Sequence, residues 1–429
     1  MNYFSNLISK QKNKEAVGIY SVCSSNSLVI ESALRFAKEK NCHVLIESTS
    51  NQVNQYGGYT GMLPLDFYQY VKAISSTVGF DSDHLILGGD HLGPNPFADK
   101  DSETAMVEAE EMIRQYVKAG FTKIHVDCSM RLGGDSLTEK LSDQTIAKRS
   151  ARLIKVAEES YTELLQTNPN SVHPVYVVGS EVPIPGGALE HEDIQVTSPE
   201  DLNQTITHLK AELKVINLEE TFKYVIAVVV QPGVEFGSSH IDEYQRENAK
   251  ALTTSLDKYP SIVFEGHSTD YQTPQKLKEM VEDGIGILKV GPQLTFALRE
   301  ALFALAKIEE ETSPQIQDQS NFVNILLSEM ENNPKNYAKH YHGDIKHLCK
   351  YSLLDRARYY LGEEKVDHTI SKLISNLEQT EIELTLLSQY LPVQYQQIRT
   401  GKLLNQPKDI IFSKINEVYE DYYKATNQN

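Results

Sequence analysis

"ILGGDHLGPNPF" spans residues 86–97: an apolar run stops at two glycines and delivers an acid and a histidine, Asp90 and His91, side by side. Alone, an Asp–His dipeptide after a buried run reads equally as a catalytic pair or as a solvated turn. The neighbours decide. Short β-branched runs ending in polar residues recur along the chain as "VGIYSVC" (17–23), "CHVLIE" (42–47), "HLILGG" (84–89), "TKIHVD" (122–127), "PVYVVGS" (174–180), "YVIAVVV" (224–230), "SIVFE" (261–265) and "GILKV" (286–290). Runs that are apolar on both faces are what parallel strands covered by helices look like. Helical segments stand between them: "SLVIESALRFAKEK" (27–40) sets Leu28, Ile30, Ala33, Leu34 and Ala37 on one face, and "ETAMVEAEEMIRQYVKAG" (103–120) ends in a glycine suited to a helix terminus. Strand–helix alternation repeated eight times predicts an α/β fold, a (β/α)8 TIM barrel, over residues 1–305. Residues 306–429 show no further alternation; amphipathic stretches such as "DHTISKLISNLEQTEIELTLLSQYL" (367–391) predict a C-terminal helical extension packed on the barrel.

In such a barrel the functional groups stand at the C-terminal ends of the strands, so the residues just after each run are the test. The first run is followed by Ser24, Ser25 and Asn26, the second ends at Glu47, and the third gives Asp90 and His91. The fourth gives Asp127 and Ser129, the fifth Glu181, the sixth Gln231 and Glu235, the seventh His267, Ser268 and Asp270, and the eighth Lys289 and Gly291. Glu47, Asp127 and Lys289 sit at or near the last positions of apolar runs, where a charge is costly without a partner. The carboxylates Glu47, Asp90, Asp127 and Glu181 are the candidate proton carriers, and His91, His267 and Glu181 the candidate ligands of a divalent metal, zinc by donor chemistry. The loop "SNQVNQYGGYTG" (50–61) offers the amides of Asn51 and Gln52 to a polyhydroxylated ligand, with Gly57 and Gly58 permitting close backbone approach. "KVGPQLTFALRE" (289–300) runs directly into a helix near Thr295, the place where barrels commonly seat a phosphate. His43 and His84 begin strands at the opposite face and His125 lies inside one, so all three read as structural.

Composition narrows the partners. Lys+Arg 41 against Asp+Glu 59 gives a formal net charge of −18, which repels nucleic acid and anionic membrane. Four cysteines without paired metal spacing, and an N-terminus lacking the apolar core of a secretory signal, predict reduced thiols in the cytoplasm. No apolar stretch approaches the ~20 residues needed to span a bilayer. No nucleotide cofactor is expected.

"IYSVCSSN", "VLIESTSNQVNQYGGYTGM", "ILGGDHLGPNPF", "GSEVPIPGG", "VVVQPGVEF", "FEGHSTDYQT" and "LKVGPQLTFALREALFALA" together resemble the GatZ/KbaZ group, the accessory subunits of class II tagatose-bisphosphate aldolase. The resemblance extends through "YSLLDRARYY" and "SQYLP" into the helical tail. It implies a (β/α)8 protein of galactitol, N-acetylgalactosamine or tagatose 6-phosphate catabolism that supports the stability and activity of a separate catalytic aldolase subunit. It also implies an alternative, since related members are ketohexose-phosphate 4-epimerases that interconvert tagatose and fructose 6-phosphates. The expected ligand is therefore a ketohexose phosphate, and the expected partners an aldolase subunit or a second copy of the chain. More remotely, Asp90–His91, His267 and the strand-eight "LKVGPQLT" are similar to the proton-handling Asp, the zinc histidines and the phosphate-binding strand end of catalytic class II aldolases. Two departures stand out: no third histidine is expected at the rim, so a carboxylate such as Glu181 has to complete a zinc site, and Gly291 stands where those enzymes carry an Asn.

Overall fold

The computed structural model describes residues 3–136, 138, 141–180, 194–312 and 316–427. Eight parallel strands close into a barrel: β1 Ile19–Val22, β2 Val44–Thr49, β3 Leu85–Leu92, β4 Lys123–Val126, β5 Val175–Val178, β6 Val225–Val230, β7 Val263–Gly266 and β8 Ile285–Val290. Each pairs with its sequence neighbours, and β1 with β8 completes the ring through Ile19 to Ile287 and Val22 to Val290. All eight runs read from the sequence form these strands, displaced by at most a few residues. A short antiparallel pair, Glu235–Phe236 with Ile241–Asp242, decorates the loop after β6.

Helices cover the ring: α1 Tyr3–Lys12, α2 Ser27–Lys40, α3 Pro64–Val78, α4 Ser102–Ala119, α5 Asp143–Thr167, α6 Pro199–Val215, α7 Arg246–Ser255, α8 Pro274–Glu282 and α9 Pro292–Glu311. Their starts follow local chemistry. Asn26, Asp101, Ser142, Ser198 and Thr273 each accept a backbone N–H of the first turn, which satisfies donors the helix leaves open. Gly120 ends α4 at φ +98°, as its place after "YVKA" predicts.

Side chains alternate along a strand, so each strand feeds two cores. Tyr20, Val22, Ile46, Ile124, Tyr176, Phe264 and Leu288 pack outward beneath the helices. Ile19, Leu45, Ile86, Val175, Ala227, Val263 and Ile287 point inward at the N-terminal end, where Phe4, Leu7 and Ile8 of α1 close the barrel from below. Above that apolar plug the inward row changes character: Ser21, Glu47, Lys123, Glu265 and Lys289 are all fully or almost fully buried. Gly88 makes room for them, since a Cβ there would stand 2.4 Å from Glu47 Oε1.

The region beyond α9 contributes α10 Phe322–Asn332, α11 Ile345–Tyr351, α12 Glu364–Glu378, α13 Leu384–Tyr390, α14 Pro392–Arg399 and α15 Pro407–Thr426. The last of these is part of the barrel wall. α15 packs against α2, α8, α9 and β1, filling the ring between the helix after β7 and the helix after β1. Its Tyr419 and Tyr422 rings lie 5.9 and 6.0 Å from Tyr20, and Thr426 O accepts the Gly18 amide at 2.8 Å. No helix among the described residues is long and apolar enough to cross a membrane.

Candidate functional site

The third strand runs further than its apolar stretch, through Asp90 and His91 to Leu92, so the dipeptide lies within the strand and not in a turn after it. His91 takes φ +49°, and the pairing of β3 with β4 shifts between Gly89 and Leu92. This local bulge turns the His91 ring into the barrel, where Nδ1 meets Asp127 Oδ2 at 2.8 Å. Ser268 is likewise held at φ +52° immediately after His267. Non-glycine residues in this conformation cost energy that surrounding contacts must offset, and here both stand at the same strand ends.

β4 supplies the floor. Lys123, His125 and Asp127 lie two residues apart and therefore face the same way, inward. Lys123 Nζ sits 2.7 Å from Glu47 Oε1 and 2.8 Å from Glu265 Oε2. Lys289 pairs with Glu47 and lies 2.9 Å from Asp90 Oδ1. Ser21 donates to Glu47, and His267 Nε2 faces Glu265 Oε1 at 3.0 Å. Two lysines and three carboxylates thus interlock out of water, each in contact with an opposite charge and with one carboxylate in excess. The charges set the protonation states. Burial opposes the ionised form of Asp90, yet Lys289 and the neighbouring histidines hold its carboxyl well below the usual range. Burial likewise works against the charge on Lys289, but Asp90, Glu47 and Glu265 keep it protonated. Burial lowers His267 to about 4, so its imidazole is neutral.

Above the network the rings of His91, His125 and His267 converge, with centroids 4.8 to 5.2 Å apart. Donor atoms of Asp90, His91, His125 and His267 all lie within 4.8 Å of one another. His125 Nδ1 faces Asp90 Oδ1 at 2.8 Å and the His91 backbone N–H at 3.1 Å, and its buried Nε2 has no hydrogen-bond partner. An orphaned imidazole nitrogen amid two further imidazoles and a carboxylate is a donor set that could bind a divalent metal. His125, read as structural from its place inside a strand, is thus the third rim histidine that the sequence reading lacked.

A cavity of about 740 Å³, counted with its open mouth, rises from this cluster. Of the expected residues, Asp90, His91, His267, Asn51, Gln52, Ser268, Asp270, Lys289 and Gly291 line it. Glu47 and Asp127 lie outside the lining, Glu47 in the ion network and Asp127 accepting from Ser129 and contacting His91. Two expectations for ligand contact change. Gln231 Oε1 accepts the Gly233 and Val234 amides at 2.8 and 2.9 Å, a turn-stabilising role, and Thr295 donates to Asp355 at 2.6 Å, so neither side chain lines the cavity. Glu181, expected as proton carrier and metal ligand, lies outside the described residues.

The glycines of the amide loop shape the loop itself: Gly58, at φ +55°, approaches Gln52 O so closely that a Cβ would stand 2.4 Å away. Asp270 accepts the Gly291 and Gln293 amides at 2.9 and 2.8 Å, occupying the start of α9, and burial raises its carboxyl to about 6. Sequence reasoning did not place Cys23, Tyr59, Phe236, Arg358 and Tyr359 in the site, yet they line the cavity together with Thr49, Val290 and Pro292. For Cys23 a signal existed, two residues after the inward Ser21.

Comparison with known proteins places these features in a family context. Residues 4–427 match the family described as "D-tagatose-1,6-bisphosphate aldolase subunit GatZ/KbaZ-like". The chain is similar to the crystal structure of a probable tagatose 6 phosphate kinase from Sinorhizobium meliloti 1021, with 41% identity, a TM-score of 0.86, and coverage of 95% of this chain and 100% of that one. A fructose-bisphosphate aldolase from Campylobacter jejuni matches at 18% identity and a TM-score of 0.46, over 87% of this chain and 92% of that one. The YdjI aldolase from Escherichia coli K12 matches at 11% identity and a TM-score of 0.42, over 88% and 98%.

Proposed function

The chain belongs to the D-tagatose-1,6-bisphosphate aldolase subunit GatZ/KbaZ-like family, and from that premise we propose that it is a metal-dependent 4-epimerase, interconverting tagatose 6-phosphate and fructose 6-phosphate at its own barrel site. The observation that carries this reading is the buried Asp90, His91, His125 and His267 cluster opening onto a cavity lined by polar groups. A protein acting only as a scaffold has no physical need to bury such a set. A tagatose phosphate is named both in the family's description and for the 41% identical neighbour, which supports the ligand class.

His91, His125 and His267 would hold a divalent metal, zinc by their imidazole chemistry, which when bound supplies Lewis acidity toward a ketose carbonyl. The residues of the chain do the rest. A carboxylate at the wall, Asp90, takes the proton of the C4 hydroxyl as the C3–C4 bond breaks. The aldehyde fragment turns within the cavity, the carbon nucleophile re-adds to its other face, and the proton returns to the new C4 alkoxide. Asn51, Gln52 and Ser268 hold sugar hydroxyls, and the interlocked lysines keep Asp90 ionised.

Incubating the purified chain with zinc, manganese or magnesium on fructose 6-phosphate tests the reading. Formation of tagatose 6-phosphate, lost in Asp90→Asn and His267→Ala, is expected; an inert wild-type chain overturns it. The family description favours a second reading, in which the chain supports a separate aldolase subunit in tagatose 6-phosphate, galactitol or N-acetylgalactosamine catabolism in the cytoplasm. Complex formation with a tagatose-bisphosphate aldolase, together with a rise in that enzyme's activity or thermal stability, is its signature.

A further inference from the structure

The segment Arg356–Tyr359 belongs to the region beyond the barrel, yet Arg358 and Tyr359 line the cavity above the strand ends. Buried contacts fix its course. Asp355, at φ +45°, accepts from Thr295 Oγ1 at 2.6 Å and from Arg299 Nε at 2.7 Å, both on α9. Tyr271, in the loop after β7, donates to Leu353 O at 2.6 Å. Pinned on both sides, the backbone aims the Arg358 guanidinium at the cavity mouth.

Arg358 is half-buried and its orientation is set by neutral acceptors: Leu354 O, Asp355 O at 3.0 Å and the Tyr359 hydroxyl at 3.1 Å. These take three of its five N–H groups. Among the described residues no carboxylate lies within 4.0 Å of it. Among the described lining residues the other non-histidine cation, Lys289, is already committed to Glu47 and Asp90. The start of α9, where the sequence pattern predicts a phosphate seat, has the Gly291 and Gln293 amides taken by Asp270. A guanidinium partly withdrawn from water, with Asp355 and Asp270 near it but no carboxylate in contact, is poised for an anion with paired oxygens.

We infer that Arg358, presented by the C-terminal extension, seats the anionic group of the substrate, a phosphate monoester carried on the sugar. The inference rests on the reading of this cavity as a ketohexose-phosphate site, and it moves the phosphate contact from the start of α9 to the extension. Tyr359 steers the guanidinium through its hydroxyl, and Tyr59, 4.9 Å from it ring to ring, continues the wall.

Calorimetric titration of the full chain with fructose 6-phosphate, fructose, inorganic phosphate and galacturonate tests it. The wild type is expected to bind fructose 6-phosphate, with inorganic phosphate competing. Arg358→Ala is expected to weaken fructose 6-phosphate about ten- to hundredfold while leaving fructose unchanged. Arg358→Lys retains the charge without the fork and falls between; it carries the test if the alanine variant does not fold. Wild-type affinity for fructose 6-phosphate in both variants overturns the inference and leaves the cavity reading intact. Preference of the wild type for galacturonate overturns the phosphate assignment. Binding of neither fructose 6-phosphate nor inorganic phosphate by the wild type removes the cavity reading and the inference together.

Discussion

Lys123 has no accessible surface and stands between Glu47 and Glu265, with Lys289 on the far side of Glu47. Taking out one member of such a chain leaves its neighbours as uncompensated buried charges. Lys123→Met is therefore expected to lower unfolding free energy by about 3–5 kcal/mol, read as an earlier midpoint in urea. A change under about 1 kcal/mol would mean that water or a shifted Lys289 replaces it. Glu235 gives a pH signature of opposite origin. Burial lifts its carboxyl from 4.5 to about 7, against hydrogen bonds from the Phe236 amide and Ser268 that favour ionisation. The folded state thus holds a proton that the unfolded chain has lost between pH 4.5 and 7, so this group's contribution to stability falls as pH rises through that window and is flat above it. In Glu235→Gln that fall disappears. Against wild type, the variant is expected to gain about 2–3 kcal/mol between pH 4.5 and pH 8, and parallel thermal-midpoint profiles for the two proteins would refute it.

Strands explain why most of the site was readable before its geometry was known. Each apolar run was visible because parallel strands are buried on both faces, and the residue following each run pointed to the rim. What escaped was the inward row. A lysine and a histidine within "TKIHVD" look like exceptions to an apolar run, yet Lys123, His125 and Asp127 repeat every second residue, the period that puts them on one face. Read that way, β4 announces its part in the cluster as clearly as "DH" does in β3. Glu265 in β7 and His267 just after it repeat the pattern. Zinc is expected to raise the thermal midpoint of the wild type, because binding to the folded state alone stabilises it in proportion to the logarithm of free metal, and His125→Ala is expected to abolish that rise. An undiminished rise would exclude His125 as a ligand. Arg358 and Tyr359 were not legible, since they come from a region whose helical periodicity says nothing of where it folds back.

The last helix was equally hidden: nothing local in "PKDIIFSKINEVYEDYYKAT" reveals that its apolar face closes the ring between α2 and α8. Because Tyr419 reaches Val29 O and Tyr422 reaches Thr269 O, at 3.0 and 2.8 Å, we propose that residues 306–429 are one cooperative unit with the barrel. Calorimetry is expected to give a single transition with matching van't Hoff and measured enthalpies. Two resolved transitions would mark a self-standing domain. The arrangement also governs how the molecule is born. A ribosome delivers β1 at Ile19–Val22 well before α15, Pro407–Thr426, which covers it. At 5–20 residues per second, the flank of Tyr20 waits on the order of 20–80 s for its partners. Throughout synthesis the nascent chain therefore carries an unfinished parallel sheet with an open aromatic seam, a surface suited to chaperones and to its own neighbours on the same message. Closure of the barrel wall waits until α15 has emerged.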